Sequence, residues 1–243
     1  MFLLSPAHSG GERMALVLSP RARFALAHAV QAGGAPLGEV FRFASGLYFR
    51  GKLAYAEAFA RPPPGVPGAL VIAPGAGLLP IDVAVRSEHL RAFAAVPVDA
   101  RDARFREPLL EAARLVAGRL GEGAEVVLLG SIASDKYVEP LLTVFDERLL
   151  FPVDFVGRGD MSRGGLMLRA ARAGVELPYA PVLGAVRHGK RPPRLEPVRW
   201  VAAATTSTPA PTPAPSPPGS ARGRGGIPLA TPPPSRSQKR RRH

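Results

Sequence analysis

Four apolar runs of three to five residues, at 2–4, 69–73, 125–129 and 149–151, constrain this chain most. Each is bounded by turn-forming residues, and none alternates with polar positions, so each reads as a strand buried on both faces. Amphipathic patterns fill the intervals. Residues 21–32 place Phe24, Ala27 and Val30 at helical spacing before Gly33-Gly34, and residues 47–60 do so with Phe49, Leu53, Ala56 and Phe59. Residues 108–120 carry Leu109, Ala112, Ala113 and Val116, and helices are also expected at 136–145 and 165–173, the last closed by Gly174. The segment 87–93, with Glu88 and His89, reads as the start of a further helix. Both-face-buried strands alternating with helices predict an α/β fold, a mostly parallel sheet covered by helices on both faces.

The composition changes after Trp200. Residues 205–218 are Thr, Ser, Pro and Ala, too poor in apolar bulk to form a core, and the chain ends in Gln238-Lys239-Arg240-Arg241-Arg242-His243. The expected organisation is one α/β domain over residues 1–203 and a disordered, Pro/Ser/Thr-rich basic tail over 204–243. The 243 residues are 46% hydrophobic, enough for one full-sized core. Of the net charge of +13, seven positive charges lie in the tail, leaving +6 for the domain. That balance suits a polyanionic partner such as nucleic acid or a nucleotide, or a proteome that favours surface arginine.

There is no cysteine, which excludes disulfides, thiolate metal sites and thiol nucleophiles and fits a reducing compartment. Met1-Phe2-Leu3-Leu4, followed by Ser5-Pro6, is too short for a secretory apolar region and lacks a basic flank. No stretch approaches the length of a membrane span. A cytoplasmic location without membrane association is expected; no metal or cofactor is indicated, and the oligomeric state is left open.

Ligands of open α/β sheets bind beyond the carboxyl ends of the strands. Small, polar residues follow all four runs: Ser5 to Arg13, with His8; Pro74 to Asp82, with Gly75 and Gly77; Gly130 to Tyr137, with Ser131; and Asp154 to Gly165. The last loop sets Arg158, Ser162 and Arg163 before a helix, where free N–H groups and guanidinium forks suit phosphate or carboxylate, unless the arginines simply pair with Asp154 and Asp160. It is neither a Walker A loop nor GxGxxG. Ser131, Ser134, Lys136 and Tyr137 match no nucleophile motif and read as cap and ligand contacts. Asp82 is the first candidate acid–base group and Asp160 the second; His8 stands without a companion metal ligand.

The order of these loops resembles a group of bacterial proteins of unknown function, related to the domain of archaeosine synthases and peroxide-stress proteins. The resemblance rests on Leu4-Ser5-Pro6-Ala7, on Leu47-Tyr48 with Tyr55-Ala56, on Gly77-Leu78-Leu79-Pro80-Ile81-Asp82, and on Leu129-Gly130 with Tyr137 to Leu141, spanning roughly residues 2–175. Pro74-Gly75-Ala76 stands where those relatives often have Ser-Ala-Lys-Tyr, and Ser5 where they often have Cys. The resemblance implies a fold like uracil-DNA glycosylases and the handling of nucleobases or nucleic acid, with the Arg158 loop on a phosphate and Asp82 as general base or base-edge reader. Two readings stay open: a nucleobase- or nucleotide-processing enzyme, N-glycosidase-like on nucleic acid, or a non-catalytic nucleotide or nucleic-acid binding module.

Overall fold

A computed structural model describes residues 1–196; the remainder, including the expected tail over 204–243, lies outside the described residues. In chain order the elements are β1 (Phe2–Leu4), α1 (Glu12–Leu18), α2 (Ala25–Ala32), β2 (Ala35–Pro36), α3 (Leu37–Ser45), α4 (Leu47–Phe59), β3 (Ala69–Ala73), β4 (Gly77–Pro80) and β5 (Ala84–Val85). There follow α5 (Ser87–Ala94), α6 (Ala103–Leu120), β6 (Val126–Leu129), α7 (Asp135–Phe145), β7 (Leu149–Pro152), α8 (Asp160–Ala173) and β8 (Tyr179–Pro181), with short 3₁₀ turns on either side of β7.

Six strands form one sheet in the order β4-β3-β1-β6-β7-β8. The four apolar runs are its parallel centre: β1 pairs with β3 through Leu4↔Val71 and with β6 through Leu4↔Leu129, and β6 pairs with β7. The edge strands β4 and β8 run antiparallel to their neighbours. The α/β class and the mostly parallel sheet are as the sequence predicts, with antiparallel edges added.

The absence of alternation in the runs has its reason in the packing. Phe2 and Leu4 enter one core with Val71, Val127 and Leu129, while Leu3 enters the other with Leu70, Ile72, Val126 and Leu128. The first core is closed by side chains of α1 to α5 and α8, the second by α6 and α7. Each large side chain withdrawn from water stabilises by about 1.5–3 kcal/mol, so a polar residue on either face of these strands would be costly.

Three predicted helices begin earlier than the periodicity suggested. α6 starts at Ala103, capped by Asp102, whose side chain accepts from the Arg104 N–H at 3.0 Å; its Pro108 lies inside the helix rather than at its start. α8 starts at Asp160 and α7 at Asp135, and α2 begins later, at Ala25. α8 ends where expected, at Gly174 in the left-handed conformation (φ 65°).

The chain leaves β1 toward β3 on one flank and returns to β6 on the other. The switch in winding direction therefore falls between β1 and β6, where such sheets open a crevice beyond their carboxyl ends. None of the helices among the described residues is long and apolar enough to cross a membrane.

Candidate functional site

A cavity of about 320 Å³ lies at that crevice, lined by Ser5, Pro6, Ala7 and His8 after β1, Ser131 after β6, Lys136 and Tyr137 of α7, Tyr48 of α4, Asp160 of α8, and by Ser45 and Val98. Six residues named from the sequence, Ser5, His8, Ser131, Lys136, Tyr137 and Asp160, thus meet in one place. Gly130 stands beside them: a Cβ there would lie 3.0 Å from the Ser5 Cβ and 3.2 Å from its Oγ, so the missing side chain keeps Ser5 unobstructed.

The others part from this group. Asp82 lies at the opposite end of the sheet, in a cleft with Ala56, Glu57, Pro67 and Ile81. The cause is β4: the chain turns back after β3, with Leu70 opposite Pro80, so the loop after β4 sits beside the start of β3 rather than its end. Gly75 and Gly77 form the turn between β3 and β4, both with positive φ (78° and 77°), and serve packing. A Cβ on Gly77 would fall 2.5 Å from the Pro108 carbonyl oxygen.

The loop before α8 is also divided. Arg158 and Ser162 face a second cavity, of about 290 Å³, with Arg169, Arg191 and Arg194. There the Arg158 guanidinium is occupied internally, donating to the Asp154 carbonyl at 2.9 Å and to Ser162 Oγ at 3.3 Å. Arg163 turns inward and is 6% exposed. It donates through Nε and Nη2 to the Phe155 carbonyl at 3.3 and 3.2 Å, and through Nη1 to Asp160 Oδ1 at 3.4 Å. The two arginines thus bond near Asp154 and Asp160, the alternative left open from the sequence, and they point to different places. Arg158 borders the outer cavity, and Arg163 braces the pocket carboxylate from behind.

The most consequential group, Lys52, was not a candidate from sequence. It is 1% exposed, and its Nζ lies 2.7 Å from Ser5 Oγ and 2.9 Å from the Ser5 carbonyl oxygen. The Tyr48 ring covers it, 3.8 Å from Nζ to the centroid. Among the described residues no carboxylate stands within ion-pair distance. Burial pulls the ammonium down to about 7; the Asp160 charge opposes that fall, while Arg163 and Lys136 assist it. A signal for Lys52 existed: Tyr48, Lys52, Tyr55 and Phe59 recur at helical spacing on a face that is otherwise wholly apolar or aromatic, and a lysine there has no route to solvent.

Tyr48 completes the unusual chemistry. Its hydroxyl is buried in the pocket wall without a hydrogen-bond partner among the described residues, and burial raises the phenol above its ordinary range, so it stays protonated. Burial likewise raises Tyr137. The hydroxyl oxygen is sealed from solvent, so Tyr48 offers the cavity its ring rather than its donor.

The pocket therefore presents a serine hydroxyl, an imidazole, a braced carboxylate and the ammonium of Lys136, with the Lys52 amine behind the serine. It can hold a small polar molecule by several directed contacts. Among the described residues there is no grouping of three or more His, Asp or Glu that could hold a metal.

Comparison with protein-family models, with curated proteins and with solved structures finds no match to this chain.

Proposed function

We propose that the protein is an enzyme that processes a nucleobase or nucleotide in the pocket between β1 and β6, with N-glycosidic bonds as the chemical target. The observation that carries this reading is the pocket's donor set. Ser5, His8, Lys136 and a carboxylate, Asp160, face a cavity of about 320 Å³, large enough for a base with its sugar, at the crevice where α/β sheets take such ligands. Lys136 donates to base or sugar oxygens, and the Tyr48 ring forms part of the wall. Asp160, held by Arg163, stabilises positive charge on a sugar ring or orients the attacking water. Asp82, on the far edge of the sheet, has no part in it.

The test is a thermal-shift and calorimetric screen of the full chain against free bases, nucleosides, nucleotides and short RNA and DNA, with mass-spectrometric analysis of products. A base or nucleotide that raises the melting temperature, and loses that effect in Asp160→Asn, supports the proposal. No shift by any of them at millimolar concentration, and no base released from the oligonucleotides, overturns it.

A second reading, a non-catalytic nucleic-acid module, is favoured by one observation: Arg158, Arg169, Arg191 and Arg194 all border the outer cavity. Under that reading oligonucleotides bind with a steep salt dependence, Asp160→Asn binds as well as the parent, and no product forms.

A further inference from the structure

We infer that Ser5 is a nucleophile and Lys52 its general base, and that the pocket accepts and cleaves a small carboxylic ester through an acyl-Ser5 intermediate. This goes beyond the nucleotide reading and does not rest on it.

Three observations carry it. The first is the 2.7 Å contact between Lys52 Nζ and Ser5 Oγ, with Lys52 fully enclosed and no carboxylate to hold it charged. A neutral amine has two N–H groups and one lone pair. Here one N–H is met by the Ser5 carbonyl oxygen at 2.9 Å and the other by the Tyr48 ring, which leaves the lone pair to accept from the Ser5 hydroxyl. The second is position: Ser5 ends the central strand and lines the cavity, whereas Lys52 does not line it, so the base stands behind the nucleophile and away from solvent. The third is clearance: a Cβ on Gly130 would fall 3.2 Å from Oγ, and its absence leaves Oγ open on that side. A nucleophile, a base within hydrogen-bond reach and a group that orients the base are the general requirements for an activated serine.

The steps balance without a co-reactant other than water. Lys52 Nζ takes the Ser5 hydroxyl proton as Oγ bonds to the acyl carbon. The bond from that carbon to the alkoxy oxygen breaks, and the Lys136 ammonium, which lines the cavity, gives a proton to the departing alcohol. Water then attacks the acyl-Ser5 ester, giving its proton to Lys136, and the carboxylic acid leaves as the Lys52 ammonium returns its proton to Oγ. The charged groups facing Lys52 are Asp160 and Arg163 from α8 and Lys136 from α7. Titration of Lys52 near neutrality makes it a competent base at pH 8.

The experiment treats the full chain with diisopropyl fluorophosphate, locates the adduct by tandem mass spectrometry, and follows p-nitrophenol release from p-nitrophenyl acetate. The expected result is one adduct, on Ser5, absent in Ser5→Ala. Its rate of formation should rise with pH to a plateau above about pH 8 and fall at least a hundredfold in Lys52→Met. Should Lys52→Met fail to fold, the pH profile of the parent decides: a plateau sustains the proposal, and a rate that climbs tenfold per pH unit through pH 9 overturns it. No adduct after hours at millimolar reagent, an adduct elsewhere, or a folded Lys52→Met that labels at the parental rate each overturns it. None of these outcomes depends on whether a nucleotide binds.

Discussion

Gly51 of α4 and Gly164 of α8 meet backbone to backbone: a Cβ on Gly51 would lie 2.5 Å from the Gly164 carbonyl oxygen, and one on Gly164 would lie 2.7 Å from that of Leu47. The contact sets the distance between the helix that carries Tyr48 and Lys52 and the helix that carries Asp160 and Arg163. Either glycine replaced by alanine must push the helices apart, since a backbone carbonyl cannot step aside as a side chain can. Gly51→Ala and Gly164→Ala are each expected to cost ~2–3 kcal/mol, read from urea midpoints. Gly118→Ala, on an exposed position of α6 with open space around it, should instead stabilise by ~0.5–1 kcal/mol. Equal effects at all three positions would contradict the close approach.

Tyr48→Phe separates stability from recognition. The phenol is buried with no partner, so removing its oxygen relieves an unmet desolvation penalty, and the variant should be as stable as the parent or more so by ~1 kcal/mol. Affinity for the pocket ligand should stay within about twofold of the parent, because the enclosed hydroxyl does not reach the cavity that the ring lines. A destabilised Tyr48→Phe, measured by chemical denaturation, would mean that the hydroxyl is satisfied within the fold.

Lys52 makes stability depend on pH in an uncommon direction. Its ammonium loses the proton near pH 7 when folded and near 10.5 when unfolded, so between those values the unfolded chain holds the extra proton. Unfolding free energy from this group must therefore rise as pH increases from about 7 toward 10, by an amount on the order of a few kcal/mol, and be lowest below pH 7. Denaturation of the parent and of Lys52→Met across pH 6–10 tests this: the difference between them should shrink or reverse as pH rises. A constant difference would show that Lys52 stays charged in the folded protein.

Asp82→Asn should leave ligand affinity and any turnover within twofold of the parent, while Asp160→Asn lowers turnover by at least a hundredfold if the carboxylate supports charge on the substrate. Parallel assays of the two variants decide between the two aspartates, and loss of function in Asp82→Asn alone would place the chemistry at the other end of the sheet.

The parallel centre of the sheet was legible because β1, β3, β6 and β7 are buried on both faces and must be apolar without interruption. The edge strands were not. β4 reads Gly-Leu-Leu-Pro and β8 reads Tyr-Ala-Pro, short segments with turn-forming ends that carry no periodic signal. The misplacement of Asp82 follows from that gap alone, since an unrecognised reversal sends the next loop to the wrong edge. Ser5, His8, Ser131, Tyr137 and Asp160 were found by the rule that ligands sit beyond strand ends. Lys52 escaped it because it is on a helix and reaches Ser5 through the interior.

The central strand, residues 2–4, pairs on one side with residues 69–71 and on the other with residues 127–129. During synthesis this innermost element therefore lacks its second neighbour until residues 127–129 have been made. The pocket cannot close until α8 has also been added. Such long-range pairing slows folding and leaves an apolar strand open to wrong partners in the interval. A circular permutant opened in the 62–66 loop would instead place both neighbours ahead of β1 in the chain, so the central strand would be made after its partners rather than before them.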